Sequence, residues 1–479
     1  MSNLKKNLGY QTVYQVLNVG LPLITAPFLS RVLGAEPLGI MSYTTSIVHY
    51  FTLFAMMGLV NYGTRSIAVV KDNVEERSNV FSQIFYMQLI TSGVSFAAYV
   101  IYMIFLCRDN VFISWIQGLA ALACFFDINW FFFGIEEFKI TVIRPMIIRV
   151  VSVVLMLIFV RSPSDLWIYA LLLIGSTLIS QLILWLYLSR YTKLSKQRFS
   201  DVKKHFRPNA KLFMPLLAMS VYHIMDKTML GALSNYAQSG YYYNADKVIN
   251  IPVGILTGFV TVMLPRMSAL VSDNKTKEIE TLFNSSVRSI CLISAAMCCG
   301  IAAISKEFTP LFFGSGYDDC VILIIVLSPV LFIKGLSFIA RSLFLIPSHM
   351  ENKLTASVVI GAIVNLFVNL ALIPKLGAVG AVIGTLVAEL VACMWQYKTV
   401  IPRVNCIKAV FVGITYFVIG IGMYMIVRLV ANQLNFALLP KLIIEVLIGA
   451  ITYSIICLFY WCISNNKEEF RLIKSFIKR

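Results

Sequence analysis

Several charged side chains lie inside stretches that are otherwise apolar. "FMPLLAMSVYHIMDKTML" holds His223, Asp226 and Lys227, and "GYYYNADKVINIPVG" holds Asp246, Lys247 and Asn250. Lys334 and Arg341 stand two helical turns apart on one face, with no acid in the same run. Asp127 is alone in its run, and Arg149 and Glu389 are the deep charges of theirs, with Arg144 and Lys398 nearer the run ends. A charge held in hydrocarbon costs about 2.5–3.5 kcal/mol, so each needs a partner or water. A row of cations facing water can hold an anion, and an acid beside bases can carry an exchangeable proton. The plainer reading is structural: ion pairs such as Asp226–Lys247 or Lys227–Asp246 that let a helical hairpin insert. For Lys334 and Arg341 the two readings are a water-filled cationic stripe and pairing with acids on other helices. Glu389 is a proton or cation site or a simple hydrogen-bond partner, and His49 reads as a satisfied bundle residue. No phosphate-binding GxxxxGK[ST] loop occurs, and no metal-ligand spacing of Cys and His is present. No catalytic residue, metal or cofactor is expected.

The elements that must position these charges follow from composition. Of 479 residues, 59% are hydrophobic and 13% charged, with mean hydropathy +0.81. A soluble protein is about one quarter charged, so a bilayer must solvate most of this chain. Fourteen apolar runs of roughly 20 residues recur, each long enough to cross hydrocarbon as a helix. They lie near 10–30, 40–63, 80–106, 111–134, 141–160, 166–188, 210–230, 240–264, 284–304, 320–346, 353–373, 378–400, 407–430 and 438–463. Helices are required because open sheet edges cannot be satisfied in lipid. The first run is longer than a signal sequence and is read as a retained helix.

Lys and Arg concentrate at the N-terminus and in every second connection. The opposite connections hold Arg31, Arg108, Arg161, Lys306 and Lys375. Both termini are therefore expected in the cytoplasm. Arg144, Lys211, Arg288, Arg428 and Lys441 lie near helix ends and are expected to snorkel to water. This placement, together with contacts to anionic lipid, accounts for the net charge of +17 without nucleic acid. The scattered cysteines read as small apolar residues. Prolines at 22, 27, 145, 215, 252 and 329 are expected to kink their helices.

The chain also repeats. Arg65, Ala68, Asp72 and Asn73 recur as Arg266, Ala269, Asp273 and Asn274, and Gly39 recurs as Gly240 at the same offset. Leu33-Gly34 recurs as Leu230-Gly231, and Glu137, Lys139 and Thr141 as Glu351, Lys353 and Thr355. The organisation expected is an N-lobe over 1–188, a basic cytoplasmic linker over 189–209, a C-lobe over 210–400, and two further helices with a basic tail over 401–479. Two parallel six-helix repeats would enclose a substrate path between lobes. The repeat offset pairs Asp127 with Arg341, which makes them candidate gate partners; the alternative for Asp127 is a local carboxylate bonded to Arg144 or Arg149.

"LNVGLPLITAPFLSRVLGAEPLGIMSYTTSI", "NYGTRSIAVVKDN" and "DINWFFFGIEEFKIT" resemble the bacterial polysaccharide-transport proteins. These are the Wzx-type oligosaccharide-lipid flippases of the multidrug/oligosaccharidyl-lipid/polysaccharide exporter superfamily. The resemblance covers at least the first twelve spans. It implies two pseudo-symmetric lobes around a cavity, set in the bacterial cytoplasmic membrane. It also implies an undecaprenyl-pyrophosphate-linked oligosaccharide as substrate, moved by alternating access. Head-group candidates are then Arg149, Lys227, Lys247, Lys334 and Arg341, with Tyr242 and Asn244 for sugar. Ion-coupling candidates are Asp226, Asp246 and Glu389. Partners implied are membrane lipids, a polysaccharide polymerase and chain-length proteins. The rival readings are a cation-coupled small-molecule exporter or a peptidoglycan-precursor flippase of the same superfamily, then a membrane-embedded polymerase or glycosyltransferase, then a scaffold.

Overall fold

The computed structural model describes residues 20–464, apart from the side chains of Pro215, Ala218 and His223. Lys5, Lys6 and the basic tail lie outside the described residues. Among the described residues the regular structure is wholly helical. Eleven helices are long and apolar enough to cross a membrane. Gly20–Leu33 and Val111–Ala123 are shorter apolar helices. Phe206–Leu233, which carries Lys211, Asp226 and Lys227, is not among the eleven.

The chain divides into two compact units, Met1–Tyr243 and Asn244–Arg479. The first holds α1 (Gly20–Leu33), α2 (Ala35–Met56), α3 (Leu59–Val69), α4 (Val74–Phe105), α5 (Val111–Ala123), α6 (Asn129–Gly134) and α7 (Phe138–Phe159). It continues with α8 (Leu166–Leu188), α9 (Phe199–Lys203), α10 (Phe206–Leu233) and the first turns of α11 (Tyr236–Ser272). The second unit holds the rest of α11, then α12 (Thr276–Phe313), α13 (Asp318–Leu327), α14 (Pro329–Ala340) and a π-turn at Arg341–Leu345. It ends with α15 (Glu351–Leu376), α16 (Ala378–Val400), α17 (Ile407–Ala431) and α18 (Leu438–Ser464).

Three expected spans are broken. The run near 40–63 breaks at Met57 and Gly58, both at positive φ (40° and 77°). The run near 111–134 breaks between α5 and α6, and the run near 320–346 breaks before Pro329. A break in lipid frees carbonyls that need donors. At the first two breaks α4 and α8 supply them. Thr91 Oγ1 donates to Ala55 O at 2.7 Å, and Gln88 Nε2 donates to Cys124 O at 2.6 Å and Asp127 O at 2.9 Å. Trp185 Nε1 donates to Phe126 O at 3.0 Å. Gln88 Oε1 in turn accepts from Trp130 Nε1 at 2.9 Å. The ring of Trp130 anchors an aromatic core with Phe81, Phe85, Phe131 and Phe132.

The repeated glycines have a steric cause. A Cβ on Gly39 would strike the Tyr236 carbonyl, and one on Gly240 would strike the Ala35 carbonyl. The starts of α2 and α11 thus touch backbone to backbone, the close approach that small residues permit between membrane helices. The D-N pair of the repeat closes a tight inter-helix turn. Asn73 accepts the amides of Glu75 and Glu76 at the start of α4, and Asn274 takes a left-handed φ of 53° before α12.

The basic linker is clasped onto α4. Tyr62 Oη donates to His205 Nδ1 at 2.6 Å, and His205 Nε2 donates to Gln83 Oε1 at 3.0 Å. Gln83 Nε2 reaches Gln197 at 3.1 Å, and Arg77 Nη2 reaches Tyr191 O at 2.6 Å. This pattern needs a neutral imidazole, and burial pushes His205 down to about 4.

A bulky residue at the glycine contact has no route out. Gly39→Val or Gly240→Val should cost about 2 kcal/mol or more, read as lost monodisperse protein on size exclusion. Gly93→Ala, with nothing within 4 Å of the new carbon, should hold or slightly raise the melting temperature. The folded-state value of His205 lies below its unfolded value of about 6.5. The clasp is therefore intact above that value and is lost as pH falls through about 4. Nicking of the linker by an acid-tolerant protease should rise over that window, and His205→Gln should flatten the profile.

Candidate functional site

One face of α2 is polar. Ser42, Thr45, Ser46 and His49 follow helical spacing, so they form a single stripe in an apolar helix. That stripe lines a cavity of about 200 Å³ in the first unit, with Met41, Leu173 of α8, Ile224 and Lys227 of α10, and Tyr243 of α11. Gln117 of α5 holds the stripe in place, donating from Nε2 to Thr45 Oγ1 at 2.9 Å. Lys227 Nζ lies 5.7 Å from the centroid of the Tyr243 ring, a cation over an aromatic face. The ammonium is also close enough to His49 to act on it electrostatically.

Adjacent residues on a helix point about 100° apart, and α10 uses this to separate opposite charges. Lys227 enters the cavity. Asp226 is buried, and its Oδ2 accepts from Tyr242 Oη at 2.7 Å. Tyr242, expected to meet sugar, is therefore a buried partner of Asp226, and Asn244 is fully buried. Asp246 accepts from Asn250 Nδ2 at 2.8 Å one turn along α11. Arg149 is exposed on α7 and acts electrostatically on Tyr169. An ammonium, an imidazole and three hydroxyls around an apolar-walled cavity can hold an anion joined to a polyol.

In the second unit, Lys334 Nζ of α14 stands 3.7 Å from Glu389 Oε1 of α16, with the side chains 14% and 11% exposed. Arg341 opens the π-turn with its guanidinium 4.8 Å from the Phe338 ring centroid, and Glu389 acts on it electrostatically. The acid that the Lys334–Arg341 stripe lacks thus comes from another helix. Lys334 pairs with this carboxylate and Arg341 feels it at longer range, so two cations face one acid. Lys247 is placed at the start of this unit, in the fourth turn of α11.

Asp127 is held locally. Its Oδ1 accepts from the Asn129 amide at 3.0 Å and from Asn129 Nδ2 at 2.7 Å. Arg144 Nη2 donates to Asn129 Oδ1 at 3.0 Å, and Nη1 donates to Ser180 O at 2.6 Å. The carboxylate closes the turn between α5 and α6, and Arg144 balances it through Asn129. Three residues expected to snorkel turn inward instead. Arg144 does so here, and Arg428 and Lys441 both pair with Glu307. Buried acceptors within reach, an amide and a carbonyl for Arg144 and a carboxylate for the other two, outweigh the longer path to water. Sequence reasoning missed the α2 stripe, Tyr243, Glu307 and Glu445. The stripe's spacing at i, i+3, i+4 and i+7 was the available signal.

Among the described residues, no group of His, Cys, Asp and Glu could hold a metal ion. The family model described as polysaccharide biosynthesis protein matches residues 4–271. A protein of Escherichia coli K12, named as a candidate O-antigen transporter, is 23% identical over 391 residues, 81% of this chain and 94% of that protein. The solved structure of a lipid II flippase, MurJ, in an inward closed conformation aligns at TM-score 0.74 and 14% identity. That alignment covers 94% of this chain and 98% of that one. An inward-facing multidrug resistance transporter of the MATE family and the MOP superfamily aligns at TM-score 0.60 and 13% identity, over 81% of this chain and 95% of that one. These two likenesses fix the fold.

The Lys334–Glu389 contact makes a double-substitution test. Glu389→Gln alone leaves a buried ammonium without its carboxylate and should cost on the order of 3 kcal/mol, seen as a lowered melting temperature in detergent. Adding Lys334→Met should restore most of the loss. An equal loss in the single and double variants would show that the pair contributes nothing.

Proposed function

This chain belongs to the polysaccharide biosynthesis protein family, and from that premise we propose that it flips lipid-linked oligosaccharide across the cytoplasmic membrane. It is a multi-pass membrane protein acting by transport and not by catalysis, as the transporter and flippase names of its relatives support. The observation that carries the reading is the cavity of the first unit, where Lys227 faces the α2 hydroxyl stripe and the Tyr243 ring.

A pyrophosphate head group is a multivalent anion. It is held by charge-assisted bonds from Lys or Arg, for which Lys227 is the best-placed residue. The hydroxyls of Ser42, Thr45 and Ser46 and the imidazole of His49 suit the first sugar. The net-positive Lys334–Glu389–Arg341 group of the second unit suits an anion as well. The lipid tail needs no pocket, since it stays in the bilayer. Rocking of an N-lobe (1–188) against a C-lobe (210–400) about the linker would alternate access. Asp226, Asp246 and Glu389 are the carboxylates through which a proton or sodium gradient would drive the cycle. A polysaccharide polymerase and chain-length proteins would take the product on the far side.

The test is reconstitution in liposomes with labelled lipid-linked oligosaccharide, scoring leaflet exposure with and without an ion gradient. Lys227→Gln should slow translocation about tenfold at unchanged protein level, the effect of losing one charge-assisted contact of about 1.5 kcal/mol. Ion-coupled efflux of cationic dyes, with no movement of the lipid-linked glycan, would replace this reading with that of a small-molecule exporter.

A further inference from the structure

The two helices beyond the repeats share an ionisable cluster with α12. It lies where the C-terminal ends of α12 and α17 meet the N-terminal end of α18. α17 lies close on α12 because Gly413 and Gly420 face Cys291 and Cys299. Glu307 of α12 is buried, and both its oxygens are engaged. Arg428 Nη1 of α17 reaches Oε2 at 2.6 Å, and Lys441 Nζ of α18 reaches Oε1 at 3.1 Å. Arg428 Nη1 also donates to Ala303 O at 3.0 Å.

Glu445, one turn along α18 from Lys441, is the fourth member. Its side chain is 0% exposed. Its nearest cation is Arg428 Nη1, 3.8 Å from Oε1, an atom already bonded to Glu307 and Ala303. Neither oxygen of Glu445 has a hydrogen-bond partner among the described residues. The charged groups acting on it are Glu307, Arg428 and Lys441. Arg428 and Lys441 favour a charged Glu445. The neighbouring Glu307 carboxylate and complete burial without a donor oppose it. A proton on Glu445 resolves the conflict, because a carboxyl donates where a carboxylate cannot and Glu307 is the adjacent acceptor.

We infer that Glu445 is a proton-binding site, exchanging a proton within a carboxyl–carboxylate pair with Glu307. Without the proton, Glu445 competes for Arg428 and draws it from Glu307 and Ala303, which loosens α17 and α18 from α12. The site lies outside the proposed substrate path and does not depend on the transport reading. By the distribution of Lys and Arg between connections, this end of the helices faces the outer aqueous phase.

The test is infrared difference spectroscopy on the full-length protein in lipid, titrated from about pH 5 to 8. A protonated-carboxyl band should titrate in the wild type and be absent in Glu445→Gln. Lys441→Met, which removes a cation facing the site, should move the band's midpoint up by about one pH unit. This second variant keeps the question decidable if Glu445→Gln fails to accumulate. A titrating band that survives Glu445→Gln, a midpoint unmoved by Lys441→Met, or no titrating band at all would overturn the inference.

Discussion

Polar groups in hydrocarbon must be satisfied by the protein itself, and this requirement organises the whole chain. It is strictest where helices break. The carbonyls of Cys124, Phe126 and Asp127 are freed by one break and taken up by Gln88 and Trp185. Gln88 is in turn fixed by Trp130, which belongs to the aromatic core. Removing one donor would therefore expose a backbone group and unseat a packed ring together. The breaks also let short helices change direction inside a spanning segment, which a continuous helix cannot do.

The same requirement sorts the charges. Opposite charges next to each other in sequence are sent to different neighbours, as with Asp226 toward Tyr242 and Lys227 toward the cavity. Where acid and base meet across helices, the balance is uneven. Lys334 pairs with Glu389 while Arg341 feels it at longer range, and Arg428 and Lys441 share Glu307. Such groups retain an electrostatic remainder that a mobile ion or anionic substrate can answer. A fully matched pair would only hold helices together.

The all-helical membrane fold was legible in composition, because too few polar residues exist to cover a soluble surface. The breaks at Met57–Gly58 and between α5 and α6 were not, because hydropathy averages over about 20 residues and a break occupies only a few, whereas Pro329 marked the third. Asp127 stood out in sequence as a misplaced carboxylate. Its role needed Asn129 and Arg144, and Arg144 enters only through the packing of α7 beside α6. The α2 stripe was overlooked since Ser and Thr raise no alarm in an apolar helix, where they can bond to their own backbone. Glu307 and Glu445 are far apart in the chain, and only the docking of α18 on α12 makes them neighbours.

The contact between Gly39 and Gly240 has an implication for the history of the chain. These residues occupy equivalent places in the two repeats, yet they meet each other. A position that packs against its own copy is the mark of an isologous interface, the kind two identical subunits make about a two-fold axis. The arrangement is what a half-length ancestor would form by pairing with itself before its gene was doubled and joined. Neither glycine can enlarge, because a side chain on one would strike the Tyr236 carbonyl and on the other the Ala35 carbonyl.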